Sequence, residues 1–183
     1  NIELISQKIP VGNWALTDYV DSTFAFKSLR KFSLNPASYC YQITFHKDNF
    51  EECDLLGYHE GGPIPIRSIK TGTIVIGYDE NQFFTIKTIN DSLLSFHEGK
   101  SKSATNIEID PNVYYFRRVR FPINDLNKFF NPIICGDYKT PNENTIRINQ
   151  NGTIEGLSKF DSYELLIDFG EVTPGPFDAI LLT

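Results

Sequence analysis

Between residues 72 and 97 three runs of alternating apolar and polar residues, 72–78, 83–89 and 92–97, are separated only by Asp79-Glu80-Asn81-Gln82 and Asn90-Asp91. A parallel pairing needs a crossover of a dozen or more residues, so connections this short require antiparallel neighbours. The segment is therefore an up-and-down meander, and the rest of the chain has to be compatible with it. Helical spacing is scarce elsewhere, whereas aromatic, Ile and Thr residues are dense and turn residues recur at short intervals. The chain is mainly β. Residues 39–45 and 50–56 form a further hairpin, with Asn49 placed where the turn favours a left-handed residue. A strand over 12–20 puts Trp14 and Leu16 on one face, and residues 113–119 form an aromatic-rich strand. Less regular stretches lie between these: 21–38, where 22–31 form a short helix or a lid, and 98–111, a polar loop. Residues 57–68 hold Gly57, Gly61, Gly62, Pro63 and Pro65, which predict a long loop or flap.

Past Pro122 the pattern changes. Ile123, Leu126, Phe129 and Phe130 recur at helical spacing between Pro122 and the stop Asn131-Pro132. Strands are then expected at 145–149 and 153–157, around the turn Asn149-Gln150-Asn151-Gly152, and at 163–169 and 179–182. The expected organisation is an antiparallel up-and-down β-barrel over 1–120, followed by a short helix and a β-rich extension over 121–183. The extension either packs on the barrel or forms a small second unit.

At 183 residues the chain can bury a sizeable core without a disulfide framework. Its net charge is −6, and the densest basic cluster, Arg117-Arg118-Val119-Arg120, is one strand long, which argues against nucleic acid. No apolar run approaches the roughly 20 residues that cross a bilayer. Cys40, Cys53 and Cys135 are odd in number and lack paired zinc spacing. A Cys40–Cys53 bridge across the hairpin has to be considered, but alternation sets Cys40 with Gln42 and Thr44, and Cys53 with Leu55. His46, His59 and His97 are expected at the surface, in a turn, a loop and a strand end, and no metal ligand set is assigned. Glu51 and Glu52 point to opposite faces and make no catalytic pair. No Ser lies in a nucleophile elbow, and no Cys lies in a recognisable protease context. The sequons at Asn90 and Asn151 are turn sequences first. No catalytic residue and no cofactor is assigned, and the expected activity is non-enzymatic.

Three pieces occur in order: Gly12-Asn13-Trp14, the antiparallel meander, and Tyr114-Tyr115-Phe116-Arg117-Arg118-Val119. Over about residues 9–120 this resembles the lipocalin-like (calycin-type) domains of secreted Bacteroidetes lipoproteins. Those domains begin with a Gly-x-Trp strand, carry a hairpin of the type seen in residues 43–50, and close with an aromatic strand ending in Arg-Val. Asn49 stands where Gly is usual, and residues from 121 onward lie outside the likeness. The resemblance implies that Trp14 and Arg118 are structural, with the guanidinium stacked on the indole at the closed end. It implies an exported binding protein in the periplasm or at the cell surface, held to the membrane only through a lipid on a residue upstream of Asn1. The chain's start without Met fits removal of an export signal.

By alternation the inward positions are Trp14, Leu16, Ile43, Phe45, Phe84, Ile86, Leu94, Phe96, Tyr114 and Phe116. An incompletely filled interior makes Phe45, Phe84, Phe96, Tyr114 and Phe116 the walls of a site for a small hydrophobic ligand. A filled interior makes them core and leaves the loops to contact a protein or glycan partner. Any opening is expected opposite Trp14, under a lid formed by 57–68 and 98–111.

Overall fold

The computed structural model describes residues 9–29, 40–57, 61–79, 82–103, 106–109, 113–120, 126–166 and 179–183. His59 and the expected helix start at Pro122 and Ile123 lie outside them. The chain divides into two compact units: Asn1–Asp18 with Pro36–Arg120, and Tyr19–Asn35 with Phe121–Thr183.

The first unit is a closed antiparallel barrel. Its strands are β1 (Gly12–Leu16), β2 (Gln42–Phe45), β3 (Glu52–Leu56), β4 (Gly61–Lys70), β5 (Thr73–Ile76), β6 (Gln82–Asn90), β7 (Leu93–Ser103), β8 (Asn106–Ile109) and β9 (Tyr114–Val119). Consecutive strands pair from β1 to β7; β9 then joins β7 to β1 and closes eight strands into a ring. Strand β7 overshoots the ring: β9 pairs with its Leu93–Phe96 part, and β8 continues along the same edge from Gly99 to Ser103. The polar loop expected at 98–111 is therefore largely a hairpin, because β7 keeps its ladder with β6 as far as Lys100.

Two other expectations are corrected. Strand β1 ends at Leu16, and α1 (Thr17–Phe26) follows at once. A continued strand would send Tyr19 and Val20 to opposite faces, yet both are buried together with Thr23 at helical spacing, and Asp18 supplies the acidic first turn. Most of the Gly/Pro-rich stretch is not a loop or flap but β4, part of the barrel wall, with Pro63 opposite Asp54 and Pro65 opposite Glu52. Ile66 donates its N–H to the Glu51 carbonyl at 2.7 Å. Alternation then turns both proline nitrogens away from β3, toward the side where β5 has already ended at Ile76. The missing donors thus fall where no ladder needs them.

In the second unit α2 (Leu126–Phe130) ends at the expected stop, Asn131-Pro132, where the chain tightens into a 3₁₀ turn, Asn131–Ile133. Tyr19, Phe24, Phe129 and Phe130 pack edge-on or tilted at 5.1–5.8 Å between ring centroids. Strands β10 (Gly136–Lys139), β11 (Thr145–Ile148) and β12 (Ile154–Glu155) form one small sheet, and β13 (Tyr163–Leu166) with β14 (Ala179–Leu182) another. Strand β10 is exposed at every position and carries no alternation from which it could have been predicted. Among the described residues no helix is long and apolar enough to cross a membrane.

Candidate functional site

Nine of the ten expected inward residues are buried at 5% exposure or less; Tyr114 is half-buried. Phe84 stacks on Phe96 at 5.0 Å, and Phe96 meets Phe116 at 5.5 Å. Ile64, Ile74, Ile76 and Cys53 add buried side chains from the strands between. The five residues singled out as ligand walls therefore split: Phe45, Phe84, Phe96 and Phe116 are core, and Tyr114, the first residue of β9, is half-buried.

The barrel end that holds Gly12 is tied by side chains. The Trp14 indole is fully buried and donates Nε1–H to the Pro10 carbonyl at 2.7 Å. Arg118 lies with its guanidinium carbon 4.6 Å from the centre of that ring, donating Nη1–H to the Val11 carbonyl and Nε–H to the Asp91 carbonyl. One cation thus joins the chain before β1 to the β6–β7 turn. Gly12 is required beneath it: its φ is +126°, and a Cβ there would stand 3.3 Å from Arg118 Nη1.

The cysteines are free thiols. Burial pushes the Cys53 thiol up to about 12, with the carboxylates of Asp54 and Glu52 adding to it. Burial raises Cys40 as well, helped by Cys53. Neither is a nucleophile at neutral pH. His46 pairs with Asp54 at 2.8 Å across the hairpin, and no group of three or more metal-binding side chains forms among the described residues. Asn90 and Asn151 each accept the N–H and hydroxyl of the residue two positions on, which accounts for both sequons as turns. Asn49 does the same for the Glu51 N–H and is not left-handed, which corrects the expected turn.

A groove of about 770 Å³ runs between the loop Asp48–Glu51 and the β4 stretch Ile66–Ile69. It was not legible from sequence because reading 57–68 as a loop hid β4; the available signal was Ile64 and Ile66 alternating with Pro63 and Pro65. In the second unit a smaller hollow of about 230 Å³ is lined mainly by Leu29, Ile133, Ile134 and Leu165.

Comparison with protein-family models, with curated proteins and with solved structures gives no match.

Proposed function

We propose that the chain is a non-enzymatic interaction module of the cell envelope, built on a filled lipocalin-like barrel that contacts a protein or glycan through its outer surface. The observation that carries this reading is the interior packing: Phe96 contacts both Phe84 and Phe116, and with Phe45 all are at most 3% exposed. Eight strands leave an interior just wide enough for side chains or one small ligand, and here aromatic rings take the space a ligand would need. The same packing weighs against the other function the resemblance implies, carriage of a small hydrophobic molecule.

Native mass spectrometry of protein purified from its own host tests this. A bare mass is the expected result, and a retained apolar molecule would overturn the reading.

A further inference from the structure

We propose that the seam between the start of β3 and the end of β4 takes an extended peptide from a partner protein. The peptide adds to the β4 edge as a strand and directs basic side chains toward Asp48 and Glu51. This rests on the filled-barrel reading and names the partner's chemistry.

The barrel wall is incomplete there. Strand β3 pairs with β4 only from Gly61 to Pro65, and Ile66 adds one bond to Glu51. Beyond it β4 runs to Lys70 and, among the described residues, pairs with β5 alone. The reciprocal bond at Ile66 is not made, because the Glu51 N–H turns back onto Asn49 Oδ1 at 3.0 Å. Lys70 pairs with Thr73 across the two-residue turn Thr71-Gly72, so alternation sends the Ile69 N–H and C=O to the open edge. The edge thus offers the Ile66 carbonyl and both Ile69 backbone groups, the chemistry that another extended backbone satisfies.

Side chains make this edge more than a bare ladder. The bulge between Ile66 and Ser68 resets the alternation, so Ile66 and Ile69 share a face. They are half-buried, as is Phe50, and together they floor the groove. Asp48 and Glu51 stand exposed on the loop wall, and neither carboxylate has an ion-pair or hydrogen-bond partner among the described residues. Arg67 lines the strand side, so negative charge is confined to the loop side. A strand with apolar residues toward the floor and Lys or Arg toward the loop meets all three features.

The full chain, ¹⁵N-labelled, is titrated with the acetylated and amidated peptide Lys-Val-Lys-Val-Lys. Saturable amide shifts centred on Phe50, Ile66 and Ile69 are expected. Affinity should drop at least about tenfold in the surface double variant D48K/E51K. The Glu-Val-Glu-Val-Glu peptide, and the basic peptide N-methylated at alternate amides, should not bind. Absence of saturable shifts, shifts centred elsewhere, undiminished binding by D48K/E51K, or binding of the N-methylated peptide would each overturn the proposal. So would the same shifts appearing on concentrating the protein alone, which would assign the edge to a second copy. Failure here with no apolar dye uptake removes only the seam, whereas dye uptake removes the filled-barrel reading beneath it.

Discussion

Arg118 makes three contacts that no other residue type can make together: a planar face on the Trp14 ring, and Nε and Nη1 donors to two carbonyls from separate segments. Lys keeps the charge but loses the plane and the fork. Because Arg118 is exposed, the stack is worth about 0.5 to 1 kcal/mol, and losing a charge-assisted bond adds to that. Arg118→Lys should therefore cost about 1 to 2 kcal/mol in urea unfolding. Trp14 is the sole tryptophan, so its fluorescence reports the transition directly. The thiols give a second prediction. In the unfolded chain a thiol ionises near pH ~8.5, whereas Cys53 in the fold holds its proton up to about 12 and Cys40 is also raised. A raised folded value means the stabilisation is complete below the unfolded value and is lost as pH climbs from there toward the folded one. The slope reaches about 1.4 kcal/mol per pH unit for each thiol. Urea midpoints should thus fall between pH 8 and pH 10, and the Cys40→Ala/Cys53→Ala double variant should flatten that slope whatever its stability at pH 7.

Strand β4 joins a local sequence that resists regular structure to a tertiary position that tolerates it. Gly61 lies against β3 so closely that a Cβ would come 2.6 Å from the Leu55 carbonyl oxygen and 2.8 Å from the Leu56 Cα. Backbone cannot yield cheaply, so Gly61→Ala should cost about 1 to 3 kcal/mol. At Gly62 nothing lies within 4 Å of the added carbon, and its φ is not in the left-handed range; Gly62→Ala should stay within about 0.5 kcal/mol of the parent. Equal effects of the two, measured as shifts in urea midpoint, would show that contact with β3 does not set the cost. The same strand marks how far local signals reach. The β5–β6–β7 meander was legible because its alternation and its turns agree. Strand β4 was not, since glycine and proline report the local chain, and the neighbours that accept them come from elsewhere in sequence. At Thr17 the chain leaves a strand for a helix with no breaker between them, so local signals mark no boundary, and the joint burial of Tyr19, Val20 and Thr23 decides for the helix.

At the scale of the whole barrel, alternation alone identified which side chains face inward, since period two leaves only two choices per strand and the Trp14 face fixes one of them. Whether those side chains fill the lumen was beyond that pattern, because filling depends on how rings from Phe84, Phe96 and Phe116 meet across strands. The groove beside β4 was hidden for a related reason: it exists only where one strand outruns its neighbour. Filling is open to a direct test at Phe96, which touches both other rings. Phe96→Ala removes the central ring of the row, and if its neighbours cannot collapse the variant should lose about 3 to 5 kcal/mol. The vacated space is apolar and too enclosed to wet well, so it should admit a benzene-sized molecule. The parent should show no saturable uptake of an environment-sensitive apolar dye or of benzene. The variant should bind benzene, with urea stability rising as ligand is added, because anything that binds the folded state alone stabilises it in proportion to the logarithm of its concentration. Dye uptake by the parent, with Phe96→Ala changing affinity at little cost in stability, would instead mean that the rings line an open site.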